Sequence, residues 1–168
     1  MISSCFDFDN IFDTTKPIFL IGFMGCGKTF YGKQIAHKTK KDFIDIDEYI
    51  SRKHQKTIKE IFENEGEKHF RLLEKEALHE VIELKNIVVA TGGGTPCFYD
   101  NMDKMNEKGI TIYIETNQQI LFENLHKSKD SRPLLANKNK KELLEYINKE
   151  LNLREKYYKM AKYKRIYS

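Results

Sequence analysis

The sequence predicts an α/β fold, a parallel sheet with helices on both faces. Two observations carry that prediction. Short apolar runs alternate with longer amphipathic ones along the chain after residue 16, and strands that alternate with helices build parallel sheets. A glycine-rich stretch, GFMGCGKT at 22–29, joins the first apolar run to the first amphipathic one. Sheets of this class bind ligands beyond the C-terminal ends of their strands.

The elements follow in order. Ile18, Phe19, Leu20 and Ile21 make an unbroken apolar run, so a strand is predicted over 17–21 and a helix over 28–40. A second strand is predicted over 43–46, then helices over 47–53, 57–62 and 67–84. In the last of these Phe70, Leu73, Ala77, Leu78 and Val81 recur at helical spacing, which reads as a core-facing stripe. A third strand, 87–90, runs into Gly92-Gly93-Gly94. Strand 110–114 and helix 117–126 come next, and then the polar, basic SRPLLANKNK at 131–140 with Pro133. Loops this long in compact domains are usually lids or disordered segments. Helix 140–158 and a last strand over 163–167 complete the pattern.

The totals bound the function. A chain of 168 residues suits one domain, or one with a small lobe. Its 40% hydrophobic and 32% charged residues supply one core under a well-solvated surface. A net charge of +4 is mild for a nucleic-acid binder and fits small anionic ligands. Cys5, Cys26 and Cys97 are odd in number and form no C-x-x-C pair, which argues against a disulfide framework or zinc site and for a reducing cytosol. No apolar run approaches the ~20 residues of a membrane span. Residues 1–16 carry Asp7, Asp9 and Asp13 without an early basic cluster, unlike a signal or transit peptide. They read as an N-terminal extension, mobile or docked through Phe6, Phe8, Ile11 and Phe12, ahead of a single domain at 17–168.

Gly22-x-x-x-x-Gly27-Lys28-Thr29 matches the phosphate-loop pattern in full, in the confirming context of a preceding strand and a following helix. Its glycines bring backbone N–H groups against phosphate oxygens, and the helix adds its positive end. Lys28 is expected to reach the β- and γ-phosphates, and the Thr29 hydroxyl to ligate Mg²⁺. The N-K-x-D guanine signature of switch GTPases is not matched by Asn137-Lys138-Asn139-Lys140, and the third strand ends without an acid. Carboxylates for the metal and the chemistry are therefore expected from Phe43-Ile44-Asp45-Ile46-Asp47. Strand alternation would point Asp45 and Asp47 the same way, one suited to a metal's water shell and the other to accepting a hydroxyl proton. A competing reading makes the second aspartate a helix cap. Gly92, Gly93 and Gly94 offer a second close backbone approach. Arg71 and Arg154 have the forked geometry that binds carboxylates, although each alone is more often a surface residue.

Taken together, GFMGCGKT, FIDIDEYI, IFENEGEKHFR, TGGG and SRPLL, in this order, resemble the shikimate kinases over residues 17 to about 162. The resemblance implies a five-stranded parallel sheet of the nucleoside-monophosphate-kinase kind, with a substrate lobe at about 47–75 and a lid at about 127–140. It implies transfer of the γ-phosphoryl of ATP to the 3-hydroxyl of shikimate, with Mg²⁺, in aromatic amino-acid biosynthesis. The nucleotide set it implies is Gly22, Gly25, Cys26, Gly27, Lys28, Thr29, Phe30 and Arg132, the last being the lid arginine. Asp45 matches the outer metal-site aspartate beside Thr29. Asp47 matches the proposed base that holds the substrate hydroxyls, and Lys28, Asp47 and Arg132 form the catalytic set. Arg71 and Arg154 match the carboxylate pair, and Gly92, Gly93 and Gly94 the backbone contact. A cytoplasmic monomer without nucleic-acid or membrane partners is expected. Two departures stand out. His126, Lys127 and Lys129 lie where the family often places an adenine-stacking arginine, and Tyr158-Lys159-Met160-Ala161 keeps a tyrosine but loses the usual glutamate. The chain also stops at Ser168, soon after the last strand, so a thinner nucleotide wall is expected there. The rival readings are another small-molecule P-loop kinase, such as a gluconate or nucleotide kinase, and a nucleotide-dependent binding module without transfer chemistry.

Overall fold

The structure, a computed structural model, describes residues 14–128, 134, 135 and 138–167. Expectations that fall on residues 1–13 and on Arg132 lie outside the described residues, as does half of the expected lid. Five strands, β1 (Ile18–Ile21), β2 (Asp42–Asp45), β3 (Ile87–Ala90), β4 (Ile110–Thr116) and β5 (Tyr163–Tyr167), form one sheet in the order β2-β3-β1-β4-β5. Every pairing is parallel. β1 and β3 are buried at all four positions, as strands covered on both faces must be. The edge strand β2 instead starts with the exposed Asp42.

Among the described residues six helices connect the strands: α1 (Lys28–Thr39), α2 (Ile46–His54), α3 (Ile58–Val81), α4 (Asn101–Lys108), α5 (Gln118–Ser128) and α6 (Lys140–Tyr158). A short 3₁₀ turn, Thr95–Cys97, leads into α4. α1 packs closely on the sheet because Gly32 has no side chain; a Cβ there would lie 2.4 Å from the Phe43 ring. Capping boxes start two helices, Thr57 with Glu60 at α3 and Asn139 with Glu142 at α6. Among the described residues no helix is long and apolar enough to cross a membrane.

Three expectations change in detail. The helices expected at 57–62 and 67–84 run on as α3, broken inside by Gly66 at φ 81 and ψ 169. α4 was not expected at all. And α2 starts at Ile46, the residue after β2 ends. That last change overturns the strand-alternation argument for the paired aspartates. Asp45 is the N-cap of α2 and Asp47 lies in its first turn. The aspartate that caps the helix is therefore the first of the pair, not the second.

Candidate active site

The β1–α1 loop is built for an anion. Gly27 caps α1 in the left-handed region at φ 93, where a side chain would be strained. Gly22 is held equally tightly, since a Cβ on it would lie 2.7 Å from the Ile114 carbonyl oxygen. The first turn of α1 contains no acidic residue, so its positive end is not neutralised locally. Lys28 is buried, and its ammonium donates to the carbonyl oxygens of Gly22 and Phe23, each at 2.9 Å. The loop thus curls around its own cation, and phosphate oxygens would replace those carbonyls as acceptors. Cys26 is also buried, with its sulfur 3.7 Å from Lys28 Nζ. The Phe30 ring, by contrast, is exposed and meets Tyr31 edge-on at 5.4 Å.

Thr29 and Asp45 come together here. Thr29 Oγ1 donates to Asp45 Oδ2 at 2.8 Å, and Asp45 Oδ1 accepts from the Asp47 N–H at 3.0 Å. One carboxylate oxygen therefore caps α2 while the other faces the phosphate loop. The result is a hydroxyl and a carboxylate side by side at the foot of the anion site. Such a hard oxygen pair suits Mg²⁺, which takes one or two protein oxygens and completes its shell with water and phosphate.

Next to the loop a cavity of about 210 Å³ opens, smaller than a typical drug pocket. Asp47, Arg71, Glu74, Arg154 and Gly92 to Gly94 supply its polar lining, and Met24, Ile58, Phe62, Phe70 and Leu134 its apolar lining. Arg71 and Arg154 are both buried, contrary to the reading of each as a surface residue. Arg71 donates from Nη1 to Glu74 Oε2 at 2.6 Å and from Nη2 to Glu67 Oε1 at 2.7 Å, and lies 4.5 Å over the Phe98 ring. Burial disfavours its charge, but Glu74 and Glu67 outweigh that and raise its pKa. Arg154 donates from Nη2 to Glu150 at 2.7 Å and sits over the Phe23 ring. Burial opposes its charge too, yet its pKa is raised, with Tyr158, Tyr146 and Glu150 as the neighbours that favour the cation. Its Nη1 is buried with no hydrogen-bond partner among the described residues. A buried donor of this kind calls for an acceptor, and a ligand carboxylate would supply it.

The three glycines each meet a different neighbour. A Cβ on Gly92 would lie 2.3 Å from Glu74 Oε1, and one on Gly93 would lie 2.9 Å from the Met24 nitrogen. At Gly94 it would lie 2.6 Å from Arg71 Nη1. Glycine is needed at all three because this segment is wedged between the phosphate loop and the arginine cluster. The 3₁₀ turn takes up two of the carbonyls, as Thr95 N–H donates to Gly92 at 3.2 Å and Cys97 N–H to Gly94 at 2.8 Å. The third, Gly93, accepts from the Tyr158 hydroxyl at 2.5 Å.

Sequence reasoning missed Glu74. This carboxylate is buried, bonds Arg71, and accepts from Thr95 Oγ1 at 2.6 Å. Its signal was present: Arg71 and Glu74 are charges three residues apart inside the apolar stripe of α3, and buried charges must pair. The apolar wall was missed because it joins Ile58 and Phe62, one turn apart on α3, to Leu134, which lies far along the chain.

In chemical terms the site joins an anion loop, a metal-suited oxygen pair and a small cavity with cations, a carboxylate and an apolar wall. A small ligand that carries a carboxylate fits that combination. The family model for shikimate kinase matches residues 24–167. The chain is 47% identical over 146 residues to the shikimate kinase of Phocaeicola vulgatus, covering 87% of this chain and 83% of that one. It is 44% identical to that of Persephonella marina, covering 87% and 85%. Among solved structures it is similar to shikimate kinase from Bacteroides thetaiotaomicron, with a TM-score of 0.85 and 45% identity over 89% of this chain and 85% of that one. It is similar also to shikimate kinase from Acinetobacter baumannii in complex with shikimate, with a TM-score of 0.85 and 34% identity over 95% and 87%.

Proposed function

The chain belongs to the shikimate kinase family, and from that premise we propose that its site transfers the γ-phosphoryl of ATP to the 3-hydroxyl of shikimate, giving shikimate 3-phosphate and ADP. One observation carries the proposal: Asp47, Arg71 and Arg154 line a single small cavity beside the phosphate loop.

Each residue has a part in it. Lys28 and the N–H groups of the loop from Gly22 through Gly25, Cys26 and Gly27 to Thr29 hold the triphosphate. Phe30 takes part through its backbone, since its ring faces solvent. Thr29 and Asp45 hold Mg²⁺, which neutralises charge on the phosphates when bound. The guanidinium groups of Arg71 and Arg154 fork onto the shikimate carboxylate, and the unpartnered Nη1 of Arg154 supports this part. With the carboxylate anchored there, the ring lies along Ile58, Phe62 and Phe70, and its hydroxyls turn to Asp47. Asp47 then orients the 3-hydroxyl and accepts its proton as the new O–P bond forms. The lobe at about 47–75 supplies most of this wall. Arg132, in the lid at about 127–140, screens the transferring phosphoryl; that part rests on the sequence alone. The three cysteines, odd in number and without a C-x-x-C pair, support a cytoplasmic setting.

The test is ADP release measured with shikimate, gluconate and nucleoside monophosphates offered in turn. Release that depends on shikimate alone is expected. Release with gluconate or a nucleotide would assign the site to a rival kinase, and acceptor-independent release would leave no transfer at all.

A further inference from the structure

We propose that Tyr158 is a positioning residue for phosphoryl transfer: its hydroxyl fixes the peptide plane between Gly93 and Gly94 and so sets the acceptor loop against the phosphate loop. This rests on the functional reading above for what the two loops hold. The tie itself rests on geometry.

Three observations carry it. First, the carbonyls of Gly92 and Gly94 are taken by backbone N–H groups of the 3₁₀ turn, whereas that of Gly93 is held by a side chain from a different element, Tyr158 on α6. Second, Tyr158 is fully buried and stacks on Tyr113 of β4, with ring centroids 5.2 Å apart. The hydroxyl is thus presented by a ring with nowhere else to go. Burial also raises its pKa well above the ordinary phenol value, so it stays a donor across the working pH range. Third, Gly93 is the glycine of the three whose added Cβ would meet the phosphate loop, 2.9 Å from the Met24 nitrogen.

The consequence follows from peptide geometry. In a trans peptide the C=O and the following N–H point in opposite directions. Fixing the Gly93 carbonyl toward Tyr158 therefore fixes the Gly94 N–H away from it. Successive glycines are otherwise the freest backbone a chain can have. Tyr158 also follows Arg154 by four residues, one helical turn, so both come off the same side of α6. One helix thereby places a cation in the acceptor cavity and holds the backbone that lines it.

Tyr158→Phe removes the hydroxyl and keeps the ring. It should lower kcat/KM for shikimate by about tenfold, the size of one lost hydrogen bond, while the KM for ATP stays within about twofold. Tyr113→Phe, which alters the same ring stack without touching the tie, should leave both constants close to wild type. Hydrogen–deuterium exchange over residues 92–98 gives a readout independent of turnover, and only Tyr158→Phe should speed it. Equal losses of kcat/KM in the two variants, or unchanged exchange in Tyr158→Phe, would reduce Tyr158 to core packing and overturn the proposal. If the wild-type protein turns over no shikimate, the functional reading fails, and the exchange comparison still decides the tie.

Discussion

Gly94→Ala is a steric experiment with little conformational cost. The backbone at Gly94 sits at φ −92 and ψ −19, which alanine adopts freely. What alanine cannot avoid is Arg71, whose Nη1 lies 2.6 Å and Cζ 2.8 Å from the added Cβ. Ordinary contacts fall at about 3.5–4.0 Å, so the guanidinium must move by about 1 Å. It has little room to do so, being buried, bonded to Glu67 and Glu74, and pressed against the Phe98 ring. A misplacement of about 1 Å in a positioning group costs on the order of 10²-fold in rate. Steady-state kinetics should therefore show kcat/KM for shikimate down by about that factor, with the KM for ATP nearly unchanged. A melting curve separates this from misfolding: crowding a packed, buried side chain costs about 1–3 kcal/mol, so Tm should fall while the transition stays cooperative. Wild-type kinetics with shikimate would mean that the Arg71 cluster yields freely, and its rigid placement would be refuted.

Other outcomes follow from the same geometry. Asp47→Asn should keep ATP binding, read by calorimetry, and lose about 10²–10⁴-fold in turnover, the range of a lost general base; near-normal turnover would leave Asp47 with no part in proton transfer. Arg71→Lys keeps the charge but not the fork, so it should mainly raise the KM for shikimate, and an unchanged KM with normal kcat would take Arg71 out of the site. Burial pushes the Cys97 thiol up to about 11. Its thiolate is then scarce at pH 8, and alkylation should run roughly a hundredfold slower than for an ordinary thiol of pKa about 8.5; ordinary labelling kinetics, read by mass spectrometry, would contradict that burial.

Much of the fold was legible because its signals are local. β1 and β3 are unbroken apolar runs flanked by turns, and α6 runs over Lys140–Tyr158, the stretch whose pattern predicted a helix. The phosphate loop was legible because its chemistry is mostly backbone, which glycines announce. The paired aspartates were not read correctly, because alternation holds only inside a strand and here the helix begins one residue after the strand ends. From sequence alone, nothing says which of two nearby aspartates caps the helix. α4 was missed because NMDKMNEK buries little apolar surface, chiefly Met102 and Met105. The close approach of three glycines to three different partners is a tertiary fact, and the sequence signals only that side chains are excluded there.

The most direct measurement is the structure of the product. ATP and shikimate are incubated with the protein, and the phosphate ester is located by ³¹P and ¹³C NMR while ADP is counted alongside. A single ester at the 3-hydroxyl, formed one for one with ADP, is expected. An ester at another hydroxyl would mean that Asp47, Arg71 and Arg154 do not orient the ring as argued, and ADP accompanied only by free phosphate would mean that the cavity holds no acceptor for transfer.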